Sequence, residues 1–341
     1  MKELLNELEQ ANYDAFFSNI KDLKLSASSI KLLLDSPKRY FNDYILGNKE
    51  VKKGKHFDEG SLVHCMVLEP ENLNDKFINM GVPVPSENTK AVIDYLISLE
   101  KDDSNIENYS TEILDYLLEI NLHQSLVDDK KAPFKSGDEK RLEKIINDNS
   151  IEYFRLMVEA REKTIVDSAS WDKCYNKAKA ILDNPDALFL LKKIKETDEI
   201  RVEFAMEDEV PGINYMLKGV LDAIKVDREN KTLYISDIKT TNGLLKDFPD
   251  VVETYNYWLQ GAIYKLLAEP LLRGSAFDYK IIFNFVVVDR NDDVYCFKVN
   301  HPTLNRWVDR LTKVVNEQVE YHISNKDFTL PYDFANKLIS L

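Results

Sequence analysis

Apolar and polar residues alternate most regularly from Met216 to Thr240, MLKGVLDAIKVDRENKTLYISDIKT, and the alternation predicts two β-strands folded back through Arg228–Lys231. Val220, Ile224 and Val226 carry the apolar side of the first arm, Leu233 and Ile235 that of the second. With Arg228–Lys231 as the loop, Asp227 pairs with Thr232, and Asp222 then faces Asp237 on one side of the sheet. Opposed residues have Cβ atoms roughly 4.5–5.5 Å apart. Two carboxylates at that separation repel, and a divalent cation between them removes the repulsion. Lys239, two residues beyond Asp237, projects on the same face.

Around this hairpin the pattern is mostly helical upstream and mixed downstream. Residues 1–24 read as a short helix with a polar connection. In LSASSIKLLLDSPKRYFNDYILG, Ser26 or Ser28 caps a helix striped by Ile30, Leu33 and Leu34, and Pro37 ends it or opens the next turn. The residues that follow, Lys38, Arg39, Tyr40 and Tyr44, suit either phosphate binding with base stacking or a solvated helix end over packed tyrosines. In GKHFDEGSLVHCMVLEP, Gly60 is expected at a helix entry, His56 in a loop, and His64 one turn into an apolar helix. By local pattern alone, such a histidine is a packed core residue.

Residues 80–165 form a charged, mostly helical insertion with a mobile link near Asp128–Gly137. It separates an N-terminal helical part (1–79) from a core (166–341). Within that core, residues 166–195 give a capped helix, a turn at Asn184-Pro185 and a second helix. EIRVEFAME is a strand. With Pro211-Gly212 as a tight turn, Glu203 faces Val220, diagonal to Asp222 and on its side; a one-residue slip would reverse the face. The helix in ETYNYWLQGAIYKLLAE, ended by Pro270, puts Gln260 and Tyr264 on one face. YKIIFNFVVVD and DVYCFKVN form a further hairpin around Arg290–Asp292, followed by a C-terminal helix. The class is α/β, a mixed central sheet flanked by helices.

Composition narrows the chemistry. A chain of 341 residues with 44% hydrophobic content supports a substantial core. No apolar run reaches the ~18 residues of a membrane span, and the acidic, amphipathic N-terminus lacks the pattern of a signal peptide. Cys65, Cys174 and Cys296 lie far apart with no CxxC pair, against a zinc finger, an iron–sulfur cluster or a disulfide framework, so a reducing cytoplasm is expected. The net charge of −14 argues against a passive nucleic-acid coat but not against a nuclease, whose carboxylates await a metal. Nothing resembles GxGxxG or GxxxxGKS, which speaks against dinucleotide and P-loop chemistry.

An aspartate on one strand and Asp-x-Lys on the next supply what metal-assisted phosphodiester hydrolysis needs: hard oxygen ligands for Mg²⁺ or Mn²⁺, and a lysine to act on the water or offset phosphate charge. In order along the chain, SASSIKLLLDSPKRYF, GSLVHCMVLEP, WDKCYNKAKAILDNPDALFLL, KGVLDAIKVD, ISDIKTT and YWLQGAIYKLL resemble segments of the PD-(D/E)xK nuclease superfamily. The similarity is to its RecB/RecE-like branch of the exodeoxyribonuclease VIII type, found in phages and prophages, and covers about residues 25–300. VVVDRND at 286–292 and the stretch 80–165 depart from the family pattern.

The resemblance implies a restriction-endonuclease-like core with His64, Asp222, Asp237 and the carbonyl of Ile238 as metal ligands. It implies Lys239 as catalytic lysine, Glu203 as the acidic residue ahead of the first aspartate, and Gln260 and Tyr264 as support or DNA contacts. It further implies a Mg²⁺- or Mn²⁺-dependent exonuclease acting on linear double-stranded DNA, with a single-strand annealing recombinase as partner and a homo-oligomeric, ring-like assembly. The residues alone leave open a catalytically decayed DNA-binding protein, an endonuclease, or a flap- or RNA-processing enzyme.

Overall fold

The computed structural model describes residues 5–49, 55–126, 136–272 and 279–339. Two compact units partition the chain, one made of Met1–Pro70 with Tyr175–Leu341 and the other of Glu71–Cys174. Eight strands form among the described residues: β1 (Lys24–Leu25), β2 (Phe77–Met80), β3 (Thr164–Asp167), β4 (Glu199–Asp208), β5 (Met216–Asp227), β6 (Thr232–Thr240), β7 (Lys280–Val288) and β8 (Val294–Val299).

The first unit carries a six-stranded mixed sheet. β5 and β6 are antiparallel with Asp227 opposite Thr232 and Ala223 opposite Ser236, the register expected from a four-residue loop. β7 lies parallel to β6 and antiparallel to β8. β4 runs antiparallel along β5 from Leu217 to Val226, and β1 pairs parallel with Met216 and Leu217. A strand has two edges, and β4 takes one. β1 and β6 therefore share the other, leaving residues 218–222 between them with no strand alongside.

β5 is more deeply buried than its alternation predicts. Residues 221–225 are all buried, including Lys225, whereas Val220, expected inward, is 46% exposed. The β4 register also differs from expectation, since Ala205, not Glu203, stands opposite Val220. The two-residue offset arises because Pro211-Gly212 does form a tight turn, with Gly212 at φ +85° and Ile213 N–H donating to Val210, but within a longer loop rather than at the strand ends. An even offset preserves the face, and Glu203 stays on the side of Asp222.

Helices cover the sheet as the caps and stripes direct. Ser26 caps the helix Ala27–Asp35 in a capping box with Ser29, and Pro37 opens the next turn. Asn184 caps Pro185–Leu191 by accepting from the N–H groups of Asp186 and Ala187. The helix Lys55–Leu68 begins earlier than expected, placing Gly60 in its interior and His56 inside its bounds.

Trp258–Ala268 packs tightly against β5, and two glycines allow this. A Cβ on Gly219 would meet Tyr264 Cε1 at 2.7 Å, and one on Gly261 would meet the Trp307 ring at 2.9 Å. The helix is thus clamped between β5 and the helix His301–Lys313, with Gln260 fixed over the sheet.

The second unit packs the helices Glu87–Ser98, Ser110–Glu119, Gly137–Ile145 and Asp148–Glu159 around Val92, Ile93, Leu96, Ile113, Leu117 and Phe154. It also contains β2 and β3 as a parallel pair, which local alternation did not indicate. The link expected near Asp128–Gly137 falls largely on residues 127–135, outside the described residues. Among the described residues no helix is long and apolar enough to cross a membrane.

Candidate metal centre

The end of the central hairpin brings the predicted carboxylates together. The β5–β6 ladder stops at the Ala223–Ser236 pair, and one position on, the Asp222 carboxylate replaces a backbone acceptor. Its Oδ2 accepts the Ile238 N–H at 2.7 Å. Asp237 is fully buried, with Lys239 Nζ 2.5 Å from Oδ2 and Gln260 Nε2 donating to Oδ1 at 3.1 Å. Gln260 also donates to the Tyr264 hydroxyl at 3.3 Å, so the i, i+4 pair acts as one support.

His64 reaches the site from the helix Lys55–Leu68. Its Nε2 lies 3.0 Å from the Ile238 carbonyl, an acceptor only, which places the ring proton on Nε2. Nδ1 then turns to the carboxylates, 3.5 Å from Asp222 Oδ2 and 3.9 Å from Glu203 Oε1. The reading of His64 as a packed core residue is therefore replaced by that of a site residue. Glu203 adopts φ +44° in the middle of β4. This left-handed backbone is strained for a side chain with a Cβ. The ladder is interrupted at this one residue and resumes in the same register on either side.

Electrostatics confirm an excess of negative charge. Burial, reinforced by the Asp237 charge, pushes the Asp222 carboxyl up to about 7. For His64, burial opposes charging, but Asp222 and Glu203 outweigh it and hold the imidazole above its ordinary pKa. Lys239 behaves alike: burial works against the ammonium, and Asp237 with Asp222 more than compensates. Protons are held here because buried carboxylates crowd one another and the two bases beside them.

One ligand atom each from His64, Glu203 and Asp222 lie within 4.8 Å of one another. Ligands at ~2.0–2.6 Å from an ion can stand roughly 4–5 Å apart across it, so the donor set fits a divalent cation. The carbonyl of Ile238, expected as a ligand, accepts from His64 Nε2 and so orients the ring. Asp237, also expected as a ligand, accepts from Lys239 and Gln260.

Arg39 and Tyr40 do not form the phosphate-and-base grip that their sequence allowed. Arg39 pairs with Asp43 at 3.2 Å, and Tyr40 is 1% exposed, stacked on Tyr44 and Phe328. Tyr257 went unnoticed in the sequence although it lies three residues before Gln260. Lys239 Nζ sits 4.9 Å from its ring centroid, and the aromatic cluster YNYW was the available signal. A cavity of about 710 Å³ adjoins this support group, sharing Tyr257, Gln260 and Tyr264 with it.

No family model matches the chain. No curated protein matches it either. Two solved structures similar to it are a protein from Eubacterium rectale named "Putative exonuclease", 14% identical over 99% of this chain and 95% of that one with a TM-score of 0.47, and SSO0001, 16% identical over 52% of this chain and 70% of that one with a TM-score of 0.23. Both scores fall below 0.5, and neither likeness enters the reading that follows.

Proposed function

We propose that the protein is a Mg²⁺- or Mn²⁺-dependent deoxyribonuclease that hydrolyses linear double-stranded DNA from an end and leaves single strands for recombination. The observation that carries it is the convergence of His64, Glu203 and Asp222 beside the buried Asp237–Lys239 pair. A bound Mg²⁺ or Mn²⁺ supplies a Lewis acid for the phosphoryl oxygen and lowers the pKa of a water.

The chain's own groups do the rest. Asp222, Glu203 and the neutral Nδ1 of His64 provide the ligands, and charging of the site releases the protons that Asp222 and His64 hold without it. Asp237 fixes Lys239, and Gln260 fixes Asp237. Lys239, held beside Asp237, is placed to bind and offset the negative charge growing on the phosphate. Preference for DNA ends, a cytoplasmic setting in a phage or prophage host, a homo-oligomeric ring and a single-strand annealing partner rest on the sequence resemblance to the exodeoxyribonuclease VIII type.

Digestion of linear and covalently closed circular duplex DNA with Mg²⁺ or Mn²⁺ tests the proposal. Linear DNA should be degraded and circles spared, with EDTA or Lys239→Ala stopping the reaction. Degraded circles would replace the exonuclease with an endonuclease; full activity of Lys239→Ala would overturn the site.

A further inference from the structure

The cavity beside the metal centre has a wall that the proposed hydrolysis does not use. It is lined by Lys31, Lys218, Val220, Tyr255, Tyr257 and Gln260, among others. Residues 218–220 of β5 line it, within the segment where neither β1 nor β6 covers the strand edge. Two large apolar side chains that face water, Val220 at 46% and Tyr255 at 51% exposure, both line it.

Tyr255 and Tyr257 flank Asn256, whose φ of +55° kinks the chain between two helices; asparagine tolerates that conformation. The kink stacks the two rings, with centroids 5.9 Å apart and planes at 28°. Lys31 Nζ lies 5.2 Å from the outer ring and Lys239 Nζ 4.9 Å from the inner one. The result is a series of cation, exposed ring, half-buried ring and site lysine.

We propose that this cavity is a nucleotide subsite in which an unpaired base stacks on the outer face of Tyr255, displacing Lys31 from over the ring, with Lys31 and Lys218 then on its phosphates. The inference deepens the nuclease reading and rests on it for the choice of DNA as ligand. Exposed aromatic rings interleaved with cations are what a single strand requires, since every base offers a π-face once it leaves its partner. At about 710 Å³ the space is that of a small-molecule site, which suits one or two nucleotides and excludes a duplex. Glu207, the acidic residue on the lining, is already paired with Lys24 at 2.7 Å. DNA would therefore enter with its terminal nucleotides unpaired, and Tyr255 would hold the first base while the scissile phosphate reaches Lys239.

The test uses single-stranded oligonucleotides carrying 2-aminopurine at the end, with cleavage blocked by Asp237→Asn. Adding Tyr255→Leu should weaken binding about tenfold and erase the fluorescence change, whereas Tyr255→Trp should keep both. An oligonucleotide abasic at that position should bind the Tyr255 protein as weakly as the base-bearing one binds Tyr255→Leu. Equal binding and equal fluorescence change in the Tyr255 and Leu proteins, or no binding of single strands to either, overturns the subsite. The two proposals fail separately. Cleavage of linear duplex that ignores Tyr255 removes the subsite and keeps the nuclease; Tyr255-dependent binding without metal-dependent cleavage does the reverse.

Discussion

One strand, β5, builds a buried lysine–carboxylate site on each of its faces, and the two differ in a single respect. Lys225 is fully buried against Asp198 at 2.8 Å, donates to the carbonyls of Phe189 and Lys192, and lies 4.1 Å from the Phe189 ring centroid. Asp198 in turn accepts from the N–H groups of Ile194 and Lys195. That pair is balanced, one charge to one, with its hydrogen-bonding capacity filled from the main chain. Three residues away, on the opposite face, Asp222 joins Asp237 and Glu203 against Lys239 and His64, three acids to two bases. A saturated pair holds structure together; an unbalanced one fits a cation. Asp222, Asp237 and Lys239 are largely buried, as the Lys225 pair is, and only Glu203 and His64 at the rim are partly exposed. The surplus of carboxylates is what separates the two.

Breaking the balanced pair should have the largest effect on folding. Asp198→Ala strands the Lys225 ammonium in the interior and is expected to cost about 3–5 kcal/mol in denaturant unfolding, while the surviving folded protein cuts DNA at the normal rate. Lys239→Ala is the converse: a loss of about 10²–10³-fold or more in cleavage, on the scale of removing one charge-stabilising donor, with far less change in stability. A drop in stability as large as that of Asp198→Ala would mean that Lys239 belongs to the architecture. Next in size, saturating Mg²⁺ or Mn²⁺ should raise the melting temperature by several degrees through preferential binding to the folded state, and Asp222→Asn should abolish the rise without touching the Asp198 pair.

The pH dependence sharpens the same contrast. Asp222 and His64 both bind protons more tightly in the folded chain than in the unfolded one. Without metal, the contribution of Asp222 to stability therefore falls as pH rises from about 4 through 7 and that of His64 falls from its ordinary imidazole pKa upward, and metal affinity rises toward pH 7 as the Asp222 proton leaves. Asp198 is shifted the other way; burial opposes ionisation, but Lys225 and the two N–H groups hold its carboxyl down at about 2. Its contribution is present above the ordinary carboxylate pKa and is lost as pH falls toward 2. A melting-temperature profile with and without Mn²⁺ between pH 5 and 8 checks this, and a metal affinity independent of pH would remove Asp222 from the ligand set. The smallest effect, a few-fold in rate, is expected for Tyr264→Phe, which deletes only the long hydrogen bond from Gln260.

The unbalanced site was far more legible in the sequence than the balanced one. A four-residue loop and apolar residues on both arms determine the β5–β6 register, and that register alone places Asp222, Asp237 and Lys239 together. Lys225 reads locally as an ordinary outward-facing residue of a half-exposed strand. Its burial is imposed by the helix Pro185–Leu191, distant in sequence. Tyr40 illustrates the same limit, for its burial depends on Phe328 at the far end of the chain. The left-handed backbone of Glu203 has no sequence signal at all: residues on either side are good strand formers, and only the three-dimensional need to swing a carboxylate toward His64 accounts for the interruption.

The hydrogen bond from Ile238 N–H to Asp222 has a spectroscopic consequence. This amide proton lies on the carboxylate that gains a proton near neutrality and would lose it to a cation, and it sits one residue from both Asp237 and Lys239. In a ¹⁵N-labelled sample its chemical shift becomes an internal indicator, moving with the charge on Asp222 whether pH or metal changes it. A single backbone resonance thus reports the ionisation of the centre without altering any of the groups that compose it.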